Sequence, residues 1–162
     1  MLSLKNSAPT EVSLADWHFR QSAGHFARNG YAIAGVLTPD VLQRVCDDSV
    51  TVQEAGGSLV ALPSGGADRA GFVVAANGRL GLTCQSCGAS FDFVVDSRST
   101  IYVAKDQAEL DAWEEESFES IESSEKTSAL ELVEDELLLA IPYVPRCKAC
   151  DSAIGPKIHE FN

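Results

Sequence analysis

Two cysteine pairs carry the most specific chemical pattern in the sequence. Cys84 and Cys87 are separated by two residues, and so are Cys147 and Cys150. This CxxC spacing lets one tight turn aim two thiolates at a single metal ion, and four such sulfurs complete the tetrahedral shell of a structural zinc site. The pattern therefore predicts one structural zinc ion held by all four residues.

The distance between the two pairs along the chain leaves other uses of the thiols open. Residues 88–146 separate the pairs, whereas the pairs of a zinc ribbon are usually roughly 15–20 residues apart. They share a metal only if the fold brings them together; otherwise they are reduced, partly buried thiols or a redox disulfide. A redox role needs a thiolate-stabilising setting, typically a helix N-terminus just after a strand. Cys84 to Cys87 lies instead between two predicted strands, in a hairpin-like turn that contains Gly88, which suits metal binding better.

The other residues that could bind a metal have no partner motif. His18, His25 and His159 are isolated in the sequence, so we interpret them as surface or internally satisfied histidines. His159 is a minor alternative ligand because it lies close to Cys150. Cys46 falls on the apolar face of a predicted short helix, and is more simply a small core residue.

The consecutive acids Glu134, Asp135 and Glu136 could suggest paired general acid and base carboxylates. Adjacent helix positions point in different directions, however, and the sequence supplies no nucleophile beside them. We interpret the three as a solvated or partner-binding face. The sequence also contains no Walker loop, GxSxG, HExxH or dinucleotide fingerprint, so no enzymatic activity is predicted.

The elements that must position these residues are short strands and a few short helices. Apolar runs rich in Val, Leu and Phe are separated by Gly56-Gly57, Gly65-Gly66, Asn77-Gly78 and Gly88. Asn-Gly between two apolar runs is a strong hairpin signal, so the sequence predicts an α+β fold with an antiparallel sheet that could close into a barrel. The predicted strands span residues 31–37, 49–54, 58–62, 71–75, 79–83, 91–95 and 100–103.

Helices are predicted at both ends of this sheet region. Ser128 and Glu131 have the capping-box spacing before a helix from Ala129 to about Ala140, which Pro142 and Pro145 follow. Three shorter helical segments are also predicted. The first, a short helix or an irregular helical turn, spans residues 13–29. The second follows the Thr38-Pro39 N-cap signal and has apolar positions through Cys46, and the third lies near residues 108–116.

Composition indicates one domain, residues 1–162, with an uneven charge distribution. The net charge is -12, and more than half of the 24 acids lie between residues 106 and 136, opposed only by Lys126. Like charges at this density oppose compaction, so residues 106–126 are predicted to be a mobile acidic insertion. The sequence lacks a long apolar run or an export signal, so we expect a cytoplasmic protein with reduced thiols and no membrane partner.

Two motifs together resemble the YceD family. The run from Gly81 to Cys87, followed by Phe91, is similar to that family's strand ending in Leu-x-Cys-Gln-x-Cys, and the run from Leu132 to Pro142 is similar to its Glu-Asp-Glu helix ending in proline. Cys147 and Cys150 occupy the place of a variable Cys or His group. Upstream, the runs 26–28 and 42–45 with Gly30 and Gly35 resemble the proteobacterial N-terminal region.

The resemblance implies a non-enzymatic factor in ribosome biogenesis that supports accumulation of large-subunit (23S) ribosomal RNA. The partners it implies are pre-ribosomal large-subunit RNA or a basic ribosomal protein, and the acidic charge favours the protein because phosphate binding is driven by Lys and Arg. No small-molecule substrate is expected. Two alternatives are a zinc-ribbon-like interaction module not tied to the ribosome and a thiol-dependent oxidoreductase.

Overall fold

The computed structural model describes residues 14–28, 30–63, 69–113 and 119–151. This part of the chain contains four helices and seven strands, besides the helical residues 148–151. The helices are α1 (Leu14–His18), α2 (Ala23–Phe26), α3 (Gln107–Trp113) and α4 (Ala129–Ala140). The strands are β1 (Gln21–Ser22), β2 (Ala32–Val36), β3 (Val50–Ala61), β4 (Gly71–Thr83), β5 (Ser90–Ala104), β6 (Glu119–Glu122) and β7 (Lys126–Thr127).

The predicted α+β class is confirmed. Five strands form one sheet in the order β2-β3-β4-β5-β6, and β1 pairs with β7 in a small second sheet. All pairs are antiparallel except β5–β6, which is parallel. The five-stranded sheet is open, with β2 and β6 at its edges, so the described residues do not form a closed barrel.

The strands are longer than predicted, because three pairs of predicted strands are each one continuous strand. The most instructive error is the hairpin predicted at Asn77-Gly78. Both residues lie inside β4, where Asn77 pairs with Gly56 and Asp96, and Gly78 pairs with Ala55 and Val95. An Asn-Gly hairpin turn needs positive φ at both positions, and neither residue has it, since Gly30 and Gly88 are the positive-φ residues of the described chain.

Gly57 interrupts the apolar run of β3 in the sequence but does not interrupt the strand. A Cβ added there would lie 2.6 Å from Val133 Cγ1 and 2.8 Å from the carbonyl oxygen of Ala75. The glycine therefore permits close approach of helix α4 to the sheet rather than a turn.

One face of the sheet is buried and the opposite face is open. On β4, Phe72, Val74, Ala76, Leu80 and Leu82 are all buried, and their even spacing places them on one face along the whole strand. The opposite face carries apolar residues that solvent reaches: Val36, Val60 and Val94 are 82%, 44% and 69% exposed.

Helix α4 covers the buried face and agrees with its prediction at both ends. The hydroxyl oxygen of Ser128 accepts a 3.1 Å hydrogen bond from the Glu131 N–H, as expected for the N-cap. Val133 and Leu137 are fully buried against the sheet, and Ile141 is the C-cap residue. Burying side chains of this size stabilises the fold by about 1.5–3 kcal/mol each, so α4 is a main element of the core.

Two helices predicted before β3 differ from the structure. The helix predicted over residues 13–29 is two shorter helices, α1 and α2, separated by β1. The helix predicted after Thr38 is not formed: residues 39–45 make hydrogen-bonded turns, with Leu42 N–H bonded to Thr38 O and Cys46 N–H to Leu42 O. The turns still bury Leu42 and Val45. The apolar pattern therefore identified the buried side chains but not the backbone conformation.

The acidic segment 106–126 contains helix α3 and strand β6 in its described part. Trp113 at the end of α3 is buried, and its ring lies 4.9 Å from the Arg69 guanidinium. The predicted mobility of the segment stays a prediction, and residues 114–118 lie outside the described residues. None of the described helices has the length and apolar character needed to span a membrane.

Candidate metal centre

The fold brings the two CxxC pairs together. The Sγ atoms of Cys84, Cys87, Cys147 and Cys150 all lie within 4.8 Å of one another, and those of Cys87 and Cys147 are 3.8 Å apart. Four sulfurs bound tetrahedrally to zinc at about 2.3 Å are about 3.8 Å apart. The arrangement therefore has the number, type and approximate spacing of ligands that a four-thiolate metal site requires.

The first pair lies in the turn between β4 and β5, as predicted. The Cys84 N–H donates to Ala89 O (2.8 Å) and the Gly88 N–H donates to Cys84 O (2.9 Å), which closes the turn. Gly88 has a φ of 79°, a conformation that glycine adopts without steric cost. The Ser86 N–H lies 3.4 Å from Cys84 Sγ and donates to it. The turn therefore directs main-chain dipoles at a sulfur, which favours its thiolate form.

The second pair follows helix α4. Because Pro142 and Pro145 prevent the helix from continuing, the chain turns back toward the β4–β5 turn. The Asp151 N–H then donates to Cys147 O (2.9 Å), and residues 148–151 are helical. Cys147 and Cys150 thus face the first pair from a short turn of their own.

Two hydrogen bonds join the turns directly. The Gln85 N–H donates to Pro145 O at 2.8 Å, and Arg146 Nε donates to the Ser86 hydroxyl at 3.1 Å. Backbone and side-chain contacts therefore hold the two pairs side by side independently of their sulfurs.

The pKa values of the Cys84 and Cys150 thiols are shifted in opposite directions. A hydrogen bond from the main-chain N–H of Cys147 lowers the pKa of the Cys84 thiol to about 6, against the opposing effect of burial. Hydrogen bonding of the Cys150 thiol with Cys147, and then with Cys84 and Cys87, raises the pKa of Cys150 to about 12. Thiolates this close together repel one another, and a divalent metal held by the four sulfurs would supply the positive charge that offsets this repulsion.

The other predicted candidates that the structure describes lie outside this cluster. Cys46 is half-buried against the core, as interpreted, and its Sγ lies 3.8 Å from Pro39 O. His18 is exposed, and His25 packs edge-on against the rings of Phe26 and Tyr31. His159 lies outside the described residues.

The three consecutive acids of α4 do not form one solvated face, which corrects the interpretation from the sequence. Asp135 is exposed, but Glu134 and Glu136 are only 3% and 5% exposed. Glu134 accepts hydrogen bonds from the main-chain N–H and from Nη1 of Arg44, both at 3.3 Å. The Arg44 guanidinium also pairs with Asp135, and this hydrogen bond raises the pKa of Arg44.

Glu136 is held by two residues of β5 that the sequence analysis did not identify. The hydroxyls of Ser97 and Ser99 donate to its Oε2 at 2.5 and 3.0 Å. Ser97 and Ser99 are two residues apart, so both lie on the same face of β5. A pair of hydroxyl side chains on the buried face of a strand is the sequence signal that could have indicated a buried acceptor. Any binding of an outside partner by the three acids stays a prediction.

Comparison with known protein families gives one match. Residues 73–158 match the family model described as "Large ribosomal RNA subunit accumulation protein YceD". The matched range begins in β4 and includes both CxxC turns, β5, the acidic segment and α4. No curated protein and no solved structure matches the chain.

Proposed function

The chain belongs to the YceD family, and on that premise we propose that it is a non-enzymatic factor in ribosome biogenesis. Its role is to support the synthesis, processing or accumulation of large-subunit (23S) ribosomal RNA in the cytoplasm. The observation that carries the proposal is the family match over residues 73–158, because that range includes the thiol cluster and the acidic helix.

One structural zinc ion held by Cys84, Cys87, Cys147 and Cys150 is part of this proposal. The four-sulfur donor set and the 3.8 Å separation of the Cys87 and Cys147 sulfurs support zinc. A shell of four protein ligands leaves no open position for a substrate, which distinguishes structural from catalytic zinc. The ion would cross-link the β4–β5 turn to the segment after α4, and that role requires no enzymatic step.

The proposed partner is a basic ribosomal protein rather than the pre-ribosomal RNA itself. The net charge of -12 and the concentration of acids between residues 106 and 136 support this choice. Phosphate groups are bound by lysine and arginine, whereas a negatively charged surface attracts a basic protein and speeds its association. The RNA would then be affected through the protein that binds it.

Deletion and complementation test the function directly. We expect deletion of the gene to lower the ratio of large-subunit to small-subunit rRNA and to reduce free and assembled large subunits in sucrose gradients. A plasmid copy of the wild type and a Cys46→Ser variant should restore both measurements, whereas a Cys84→Ser variant should restore them poorly. An unchanged rRNA ratio and an unchanged subunit profile in the deletion strain would refute the proposed function.

The zinc-ribbon-like alternative makes a different prediction. If the protein is a general interaction module, proteins recovered with the tagged chain should include polymerase or regulatory proteins and no ribosomal component. Recovery of large-subunit ribosomal proteins, abolished by high salt, would support the proposed function instead.

A further inference from the structure

A groove of about 280 Å³ lies between helix α4 and the edge of the sheet formed by β5 and β6. Its apolar part consists of Ile101 from β5 and Leu132, Leu138 and Leu139 from α4. Leu139 is 72% exposed and Leu138 is 37% exposed. Large apolar side chains that solvent reaches beside a concave surface are typical of a binding site for another apolar side chain.

Carboxylates surround this apolar surface. Glu119 from β6 and Asp135 and Glu136 from α4 line the same groove, and no lysine or arginine is among its described lining residues. Asp135 is paired with Arg44. Glu119 is exposed and has no such partner among the ion pairs of the described chain.

Glu136 is positioned to present one oxygen to the groove. Ser97 and Ser99 both donate to Oε2, which fixes the carboxylate in one orientation. The hydrogen bonds that Glu136 accepts from described residues both end on Oε2, and Glu136 lines the groove, so Oε1 keeps the capacity to accept a further hydrogen bond. A pre-oriented carboxylate with one oxygen left over is suited to accept a hydrogen bond from an ammonium or guanidinium group.

We propose that this groove binds a basic protein segment through one aliphatic side chain flanked by lysine or arginine. The aliphatic side chain packs against Leu139 and Ile101, and the flanking cations pair with Glu119 and Glu136. The class of partner, a basic ribosomal protein, rests on the proposed function. The inference adds the groove as the binding surface and the sequence pattern that the groove recognises.

Charge decides among the possible occupants. The acids that line the groove, together with Asp106, Glu109 and Asp111 before and within the neighbouring helix α3, repel nucleic-acid phosphates. A second copy of this chain, with a net charge of -12, would bring like charges together. A cationic segment is the occupant for which apolar contact and electrostatics act in the same direction.

The test uses two fluorescent peptides and the full-length protein. One peptide consists of lysine and arginine around a single central leucine, and the other has serine in place of the leucine. We expect the leucine peptide to bind about tenfold more tightly than the serine peptide, because only the leucine can fill the groove. Leu139→Ser should remove this difference, and Glu119→Gln should weaken both peptides severalfold and reduce the salt dependence of binding.

Matched controls come from the open face of the sheet. Val94→Ser replaces an apolar residue that is 69% exposed, and Glu54→Gln replaces an exposed acid beside Arg79; both variants should bind like the wild type. The proposal is overturned if the two peptides bind equally, if Leu139→Ser keeps the preference for leucine, or if a single-stranded RNA oligonucleotide displaces the peptide by occupying the groove itself. Because these readouts do not involve rRNA levels, they separate failure of the groove from failure of the proposed function.

Discussion

The main-chain N–H of Gln85 donates a 2.8 Å hydrogen bond to the carbonyl oxygen of Pro145. Gln85 lies within the first CxxC turn, and Pro145 lies just before the second. The bond therefore connects two CxxC turns that residues 88–146 separate along the chain. A metal that binds here meets ligands that protein contacts have already placed near one another, which lowers the ordering cost of binding.

Removing this hydrogen bond should weaken metal binding. Gln85→Pro eliminates the N–H donor, and we expect it to lower zinc affinity about tenfold, in line with the loss of one hydrogen bond of roughly 1.4 kcal/mol. Gln85→Ala keeps the N–H and should bind zinc like the wild type. Competition with a chromophoric chelator measures both affinities. Equal affinities for the proline variant and the wild type would mean that this bond does not organise the site.

The thiol cluster should hold one metal ion. Elemental analysis of the purified, tag-free protein should find about one zinc per chain, and Cys84→Ser and Cys147→Ser should each lose it, because each removes one of four ligands. Cys46→Ser is the matched control, since Cys46 lies outside the cluster. Retention of a full equivalent by either cluster variant would contradict a shared site.

The Arg44–Glu134 contact should contribute more to stability than the Arg20–Glu131 contact. Glu134 is buried, so Arg44→Met leaves its carboxylate without a charged partner, and we expect the free energy of unfolding to fall by about 2 kcal/mol. Arg20 and Glu131 are 55% and 38% exposed, so Arg20→Met should cost less than about 1 kcal/mol. Chemical denaturation monitored by tryptophan fluorescence measures both changes.

A double variant identifies the cause of the loss at Arg44. Glu134→Gln removes the charge but keeps an acceptor for the Arg44 main-chain N–H. The Arg44→Met, Glu134→Gln variant should therefore recover part of the stability lost in Arg44→Met. A double variant that is no more stable than the single one would show that lost packing by the arginine stem, rather than an unpaired carboxylate, explains the effect.

Gly57 should tolerate no side chain, in contrast to Gly35. Gly57→Ala places a Cβ 2.6 Å from Val133 Cγ1 and 2.8 Å from Ala75 O, so helix or strand must shift, at a cost of about 1–3 kcal/mol. At Gly35 the nearest atom to an added Cβ is Trp17 Nε1 at 3.7 Å, an ordinary contact. We expect thermal unfolding to show a lower midpoint for Gly57→Ala and little change for Gly35→Ala.

Local patterns predicted those features that depend on neighbouring residues in the chain. Helix α4 was predicted from Ser128 at its N-cap to Pro142 after its end, because a helix cap forms between residues only a few positions apart. The turn at Cys84–Gly88 was predicted for the same reason: its hydrogen bonds and its positive-φ glycine lie within a few residues.

The same kind of local pattern misled at Asn77-Gly78. In an isolated segment Asn-Gly would favour a turn, but at this point β4 pairs with β3 on one side and β5 on the other, and the cross-strand pairs with Gly56 and Asp96 keep Asn77 extended. Likewise, the sequence of Glu134 to Glu136 indicates a solvated face. In the structure, Arg44, Ser97 and Ser99 from distant segments supply hydrogen-bond partners for the buried acids.

The sequence by itself determined that two CxxC pairs with the spacing of metal ligands exist, that an acidic helix precedes the second, and that the chain resembles the YceD family. Only the tertiary structure decided that the four sulfurs meet, since residues 88–146 can join the pairs in many ways and the pairing of β4 with β5 and the packing of α4 select one. It also decided which acids are buried. The physical reason is common to both: ligand convergence and burial depend on contacts between segments distant in sequence, whereas caps and turns depend on contacts within a few residues.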